Sequence, residues 1–407
     1  MARNVPIGSA LPGQASVTRV AGRGRQGVAR YRRVRRSPAP LWRADGHRSQ
    51  GVSGEEMQAI VLVGGEGTRL RPLTYSVPKP MVPLLDRPFM EHVLLRLRDA
   101  GINEVVLPAC YLPEAIQRHF GDGERMGMRL HYVIEEEPLG TAGALKNVER
   151  FITGPFFVFN GDILTSLDLG AMLEFHRRGG GIGTLHLIPV EDPTAFGCVE
   201  RESDGRITRF AEKPKPHEVT TNYINAGTYL LERDVLDRIP TGRNVSIERE
   251  TFPQLISGDR PLYAYATEDY WIDIGKPENY LKANLDILRG TMPLRTVGPS
   301  AEAAVKHPSF VGAHSIIDRQ AEVGPGVVLG RGCRIAAHAH VYESVLWDGV
   351  VIGEGASIEG AVLAGDVHVG ANARVERGAV VGHGERIPAG SVVPAGARVP
   401  MPARLPA

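Results

Sequence analysis

The chain has little of several things that usually declare a protein's class. It carries three cysteines in 407 residues, Cys110, Cys198 and Cys333, too widely separated for a metal-ligand pair or a disulfide framework. A reducing, cytoplasmic location is therefore expected. No apolar run reaches membrane-spanning length, so no membrane partner is expected. Acids are nearly missing from the start: residues 1–54 hold only Asp45 against eleven arginines, giving +10 and leaving −9 for the rest of a chain of net charge +1. This stretch is rich in Gly, Pro, Ser and Arg and has little apolar periodicity, so residues 1–56 are expected to be disordered. Three readings compete for it: a targeting peptide, a nucleic-acid or membrane arm, and translation from upstream of the true start. The last, or a dispensable extension, is preferred. Met57 stands directly before the first strand-like run, and Arg32-Arg33 has no apolar stretch behind it. No nucleic-acid partner is expected.

Two familiar phosphate-binding signatures are also missing. After the apolar run Ile60–Val63 comes Gly64-Gly65-Glu66-Gly67-Thr68-Arg69-Leu70-Arg71-Pro72. No Gly-Lys-Ser/Thr follows, so this is not a Walker A loop. Leu70 stands where a dinucleotide fingerprint needs its third glycine. What remains is a glycine-rich turn whose main-chain N–H groups can form an anion-binding hollow, with arginine adding a charged fork. A polyphosphate suits it.

From Met57 to about Arg289, strand-like and helix-like segments alternate. Strands are expected at Ile60–Val63, Glu104–Leu107, Leu130–Ile134 and Phe156–Phe159. Helices are expected from Phe89 to Gly101, at Pro113–Phe120 and at Ala142–Ile152. This pattern predicts an α/β fold with a mostly parallel, Rossmann-like sheet covered by helices on both faces. Ligands of such sheets bind beyond the carboxyl ends of strands. After Gly180 come short strands (Thr184–Val190, Gly197–Glu200, Ile207–Phe210, Gly227–Leu231), read as a substrate lobe added to the sheet. Pro277–Leu288 closes this part, residues 57–290. In residues 291–407 a linker precedes a repeat. Apolar residues recur every sixth position at Val323, Leu329, Ile335 and Val341, slip, resume at Ile352 and Ile358, slip again, and continue from Val369 to Val399. A period of six fits a parallel β-helix with one aliphatic residue buried on each side of a rung. Such a domain with exposed ends invites homo-oligomer formation.

Five clusters carry candidate chemistry. The glycine loop is the first. Lys79, between Pro78 and Pro80, has restricted backbone freedom and can reach the same anion; alone, it would be read as a surface lysine. Asp162, after Phe156–Phe159, and Asp273, in Trp271-Ile272-Asp273-Ile274-Gly275, form an acid pair suited to Mg²⁺, which takes one or two carboxylates plus substrate phosphates. Singly, they would be a helix cap and a turn acid. Glu212-Lys213 ends a strand, where the lysine can hold a second phosphate and the glutamate can accept from hydroxyls; a solvated pair is the bland alternative. Asn225-Ala226-Gly227 offers an amide and close backbone. Glu248 offers another hydroxyl-reading carboxylate, or a first-turn helix acid.

The ordered set Gly64–Thr74, Pro78-Lys79-Pro80-Met81, Glu137–Gly143, Asn160-Gly161-Asp162, Glu212-Lys213-Pro214, Ile224–Gly227 and Trp271–Gly275 resembles the sugar-nucleotide pyrophosphorylases, and within them the mannose-1-phosphate guanylyltransferases. The resemblance covers Met57 to about Leu288, and the repeat matches the longer members, implying a left-handed β-helix. It implies a nucleotidyltransferase that joins a nucleoside triphosphate and a sugar 1-phosphate, GTP and mannose 1-phosphate first among them, with Mg²⁺. It places Gly64, Gly65, Gly67, Thr68 and Arg69 on the triphosphate, Lys79 on phosphates, and Glu135 and Gly140 near the base. Asp162 and Asp273 would hold the metal. Glu212, Lys213, Asn225, Gly227 and Glu248 would bind the sugar phosphate. The Arg-rich segment lies outside the resemblance. Other readings are a glucose-1-phosphate enzyme using dTTP, UTP or ATP, a non-catalytic regulatory paralogue, and a β-helix acyltransferase using His338, His340, His368 or His383.

Overall fold

The computed structural model describes residues 57–109, 113–294 and 305–400, with the backbone of 31–33. Within the Arg-rich segment, Tyr31–Arg33 forms a strand antiparallel to Ile316–Asp318. The rest of that segment, expected to be disordered, lies outside the described residues. So does Cys110; Cys198 and Cys333 are free and buried.

The elements are β1 (Gln58–Leu62), α1 (Phe89–Asp99), β2 (Glu104–Ala109), α2 (Pro113–Phe120), β3 (Arg129–Ile134), α3 (Gly140–Asn147), β4 (Phe156–Asn160), β5 (Ile163–Thr165), α4 (Leu169–Gly179), β6 (Gly183–Pro189), β7 (Gly197–Arg201), β8 (Ile207–Glu212), β9 (Tyr223–Leu231), α5 (Phe252–Ile256), β10 (Leu262–Ala266), β11 (Trp271–Asp273) and α6 (Pro277–Leu288). One sheet runs β8-β7-β9-β4-β1-β2-β3, with β6 also on β9 and β10 on β6. Its centre is parallel: Ile60 lies opposite Val106 on one side and Val158 on the other.

Alternate residues of the central strands enter different cores, because side chains leave a strand on opposite faces. Ala59, Val61, Val105, Leu107, Phe157 and Phe159 join one core. Ile60, Val106, Phe156 and Val158 join the other. Both faces are therefore covered, as strands apolar on both sides require. Helix α1 buries Phe89, Met90, Val93, Leu94 and Leu97 on its sheet-facing stripe. Asp168 caps α4 by accepting from Ala171 N–H at 3.0 Å, and Gly180 ends it in the left-handed region.

Two expectations need correction. The segment Ala142–Ile152 is not one helix: α3 ends at Asn147, Val148 leaves helical geometry (φ −104°) as its side chain enters the core, and Glu149–Phe151 forms a separate 3₁₀ turn. The strands after Gly180 are not an appended lobe. Strand β9 pairs directly with β4 through Thr228–Leu231, so they continue the one sheet.

The repeat is a parallel β-helix of three sheets with six, five and five strands of its own. Val323, Leu329, Ile335 and their successors stack inside as a second aliphatic core. Each slip in phase is a five-residue side. Leu346 follows Val341, and Leu363 follows Ile358, so Leu329, Leu346 and Leu363 stack 17 residues apart, while Leu363 and Val381 stack 18 apart. The short sides turn at Glu343 (φ 43°) and Gly360 (φ 55°).

The β-helix packs on residues 57–290 through one continuous core. Val328, Val345, Trp347, Val362 and Val380 lie with Tyr280, Ala283 and Ile287 of α6. Trp347 Nε1–H donates to Tyr280 Oη at 3.0 Å, and Tyr280 donates to Pro83 O at 2.5 Å. Ion pairs Arg289–Glu343 and Arg398–Glu278 rim the contact. No helix among the described residues is long and apolar enough to cross a membrane.

His186 on β6 gives the fold a pH signature. It is fully buried, its Nε2 lies 2.8 Å from Thr267 Oγ1, and its Nδ1 has no partner among the described residues. Burial pushes its pKa down from 6.5 to about 4. The unfolded chain therefore takes up this proton before the folded one does. The stability that the neutral ring contributes is present above the unfolded pKa and lost as pH falls from about 6.5 to about 4. Thermal melts of the wild type and His186→Gln across this window should converge at low pH; parallel curves would refute the assignment.

Candidate active site

The site forms where the central strands end. Gly161, just after β4, donates to Leu62 O at 2.9 Å, and a Cβ on Gly161 would lie 2.3 Å from that oxygen. Only glycine lets the two strand ends approach so closely. The approach brings Gly64 and Gly65 beside Asn160 and Asp162. Lys79 sits on the turn Lys79–Met81, held between prolines, with its side chain almost covered and Nζ 2.5 Å from Asp162 Oδ2. These residues line a first cavity of about 330 Å³, closed by Pro80, Pro108, Glu135, Pro138, Gly140, Thr141 and Ala144.

Asp162 heads the turn from β4 into β5. Strand β11 runs antiparallel to β5, with Asp273 opposite Ile163. The two aspartates thus come together from segments over a hundred residues apart. Asp273 Oδ1 accepts from Gly275 N–H at 2.6 Å, and its Oδ2 lies 3.7 Å from Arg69 Nη2. Burial raises the Asp273 pKa, and the negative charge of Asp162 raises it further against Lys79 and Arg69. The acids repel each other, and each leans on a cation. Among the described residues no cluster of three or more His, Cys, Asp or Glu gathers for a metal. Two carboxylates with room for substrate oxygens fit a small, hard divalent ion.

A second cavity of about 450 Å³ opens on the other side of the aspartates. Asn160 and Asp162 line both cavities, and Arg69, Glu212, Lys213, Asn225, Gly227, Glu248 and Asp273 line the second. Lys213 is held at φ 50°, a strained value for a side-chain-bearing residue and common at functional sites. Its Nζ lies 3.7 Å from Glu212 Oε1. Burial raises the Glu212 pKa, the Glu248 charge adds to this, and Lys213 opposes it. Asn225 Oδ1 accepts from Gly227 N–H at 3.0 Å and its Nδ2 donates to Tyr229 Oη at 2.9 Å, leaving one amide hydrogen uncommitted. Gly227 (φ 72°) lets the chain pass Asn160, whose Nδ2 would lie 2.7 Å from an added Cβ.

The expected residues therefore gather, with differences of detail. Arg69 faces the second cavity and Asp273. Gly67 and Thr68 lie outside both linings; Gly67 (φ 65°) instead turns the loop and accepts from Thr74 Oγ1 at 2.8 Å. Asp162 is no helix cap. Glu248 is both a first-turn acid, after the Ser246 cap, and a lining residue. Sequence reasoning missed Lys276 and Asn279, which also line the second cavity; Asn279 Nδ2 donates to Asp273 O at 2.7 Å. Their signal was position, directly after the Trp271–Gly275 motif.

Comparison with known proteins points to one family. Residues 58–290 match the nucleotidyl transferase family model, and residues 294–393 match that of the EIF2B subunit epsilon LbH domain. The chain is 42% identical over 311 residues to a mannose-1-phosphate guanylyltransferase of Mycobacterium tuberculosis, covering 76% of this chain and 84% of that protein. It is 38% identical over 336 residues to mannose-1-phosphate guanylyltransferase 1 of Arabidopsis thaliana, covering 80% and 91%. The fold is shared with the crystal structure of a putative glucose-1-phosphate thymidylyltransferase from Bacillus anthracis, in complex with a sucrose, at TM-score 0.53 and 23% identity, covering 60% of this chain and 98% of that one. Its strand-end loops, its sheet and this similarity together make the chain a member of the nucleotidyl transferase family.

Proposed function

We propose that this protein is a sugar-1-phosphate nucleotidyltransferase that makes GDP-mannose and pyrophosphate from GTP and mannose 1-phosphate. The observation that carries the reading is the meeting of two cavities at Asn160 and Asp162, beside a carboxylate pair and the four cationic side chains of Arg69, Lys79, Lys213 and Lys276. Residues 57–290 are the catalytic domain and 291–407 the linker and β-helix. The nucleoside triphosphate takes the first cavity, with Gly64 and Gly65 against its phosphates, Gly67 and Thr68 shaping the loop that carries them, Arg69 approaching from the side of the second cavity, and Glu135 and Gly140 at its base. The sugar phosphate takes the second, with Glu212, Asn225, Gly227 and Glu248 on its hydroxyls and Lys213 on its phosphate.

The reaction needs no general base, because the attacking phosphate oxygen is already an anion. That oxygen forms a bond to the α-phosphorus, the bond from the α-phosphorus to the β-bridging oxygen breaks, and pyrophosphate carries away the electron pair. The difficulty is repulsion between two polyanions. Arg69, Lys79 and Lys213 lower it and hold the reactants in line, the kind of positioning and electrostatic stabilisation that dominates such transfers. Members of this family generally use a divalent metal. Mg²⁺ is the ion proposed here, held by Asp162 and Asp273, and when bound it neutralises phosphate charge.

Glu135 supports guanine. It lines the first cavity, and its Oε1 is buried without a partner among the described residues. An ionised carboxylate only accepts hydrogen bonds, and guanine presents adjacent N1–H and N2–H₂ donors. Mannose rests on the similarity to guanylyltransferases. A cytoplasmic site of action and assembly of copies through the β-helix complete the proposal. The test is a matrix of GTP, ATP, UTP, CTP and dTTP against mannose and glucose 1-phosphates, read by pyrophosphate release. GTP with mannose 1-phosphate should give the highest kcat/KM. Preference for another pair would move the substrate assignment, and release from none would overturn the enzyme reading.

A further inference from the structure

The two cavities share a strap. Residues Pro138–Gly143 border the first cavity, and Asn244–Glu248 run beside the second. Val245 N–H donates to Leu139 O at 2.9 Å, Ala142 N–H donates to Val245 O at 2.9 Å, and Asn244 Nδ2 donates to Pro138 O at 2.7 Å. The contact is too close for side chains. A Cβ on Gly140 (φ 72°) would lie 2.6 Å from Val245 O, and one on Gly143 would lie 2.5 Å from Arg243 O. These glycines exist as much for the strap as for the cavity.

The Thr141 side chain also bridges this seam. Its Oγ1 accepts from Ile247 N–H at 2.8 Å and donates to Glu248 Oε2 at 2.9 Å. Ser246 Oγ donates to the same Oε2 at 2.7 Å. Two hydroxyls thus fix one oxygen of Glu248, and Oε1 is the oxygen left to take a ligand hydroxyl. We infer that Thr141 is a positioning residue for sugar-phosphate recognition: it aims the Glu248 carboxylate into the second cavity and fastens that cavity's edge to the base side of the first. The inference rests on the second cavity being the sugar-phosphate site.

The arrangement has a physical logic. A free glutamate samples several rotamers, and ordering it on substrate binding costs conformational entropy. Holding Oε2 from both flanks removes that cost before the sugar arrives, the usual benefit of preorganisation. Valine matches threonine in shape but removes both Thr141 hydrogen bonds, leaving Ile247 N–H unpaired and Glu248 with one tether. Serine keeps the hydroxyl.

The experiment is steady-state kinetics on the full chain, each substrate varied at saturation of the other. Thr141→Val should raise KM for the sugar 1-phosphate several-fold, and by clearly more than KM for the nucleoside triphosphate, whose cavity Thr141 also lines. Thr141→Ser should restore the wild-type value. Adding Thr141→Val to Glu248→Gln should cost little beyond Glu248→Gln alone, because the two act through one carboxylate. Ser246→Ala, which cuts the other tether, should repeat the selective rise, and it serves if Thr141→Val fails to fold. Unchanged sugar-phosphate KM in these variants overturns the inference. So does an equal rise in both KM values, or full additivity with Glu248→Gln. An active wild type with unaffected variants sinks this inference alone. A wild type inactive across the substrate matrix sinks the functional reading, and this with it.

Discussion

Asp162→Asn is expected to lower turnover by roughly a hundredfold or more, the scale of losing one key electrostatic group in an active site. The substitution keeps shape and removes a charge at the point where the two cavities meet. Asp162 Oδ2 is the partner of Lys79 Nζ at 2.5 Å, and its charge is what sets Asp273 against it. Without that charge, Lys79 loses its anchor and Asp273 is left as a single carboxylate. The loss should therefore fall on kcat, with thermal stability near the wild-type value, since Asp162 is partly exposed and no helix depends on it. Divalent-ion affinity of the substrate-free protein should fall in parallel. The measurement is pyrophosphate release at saturating Mg²⁺. Turnover within a few-fold of wild type would remove Asp162 from the chemistry and take the carboxylate pair with it.

The aspartate pair was legible because its signal is local. An apolar strand ending in Asn160-Gly161-Asp162, and an acid inside Trp271–Gly275, announce strand ends, and strand ends of an open sheet hold ligands. The glycine loop and the hexad repeat were legible for the same reason: each is a rule about neighbours in sequence. What stayed hidden depends on pairs remote in the chain. Nothing near Gly140 says that Val245 will lie against it, and nothing near Thr141 names Glu248, 107 positions away. The strands after Gly180 looked like a lobe added to the sheet because short polar-interrupted strands carry no record of their partner; the pairing of β9 with β4 makes them part of it. The slips at Leu346 and Leu363 looked like lost phase because a five-residue side still fills its place in the stack.

Base choice is the remaining place where one side chain should have a large effect. Glu135→Gln is expected to cut kcat/KM for GTP by about 1–3 kcal/mol, the worth of a good bidentate contact to a base, or about five- to 150-fold. The carboxylate offers two acceptors to guanine's N1–H and N2–H₂. The amide offers one acceptor and one donor, so one contact turns into two donors facing each other. The same pair suits the Watson–Crick edge of adenine or uracil, so ATP and UTP should hold steady or improve while GTP falls. The change is nearly isosteric, so packing around Pro138 and Ala144 should not move. Burial raises the Glu135 pKa, against the weak 3.4 Å hydrogen bond from Leu139 N–H. As pH falls through that raised value the wild-type carboxyl gains a proton and loses an acceptor. Preference for GTP over ATP should therefore decline on the acid side in the wild type and stay flat in the glutamine variant. A variant that keeps both the wild-type preference and its pH dependence would show that guanine is read elsewhere.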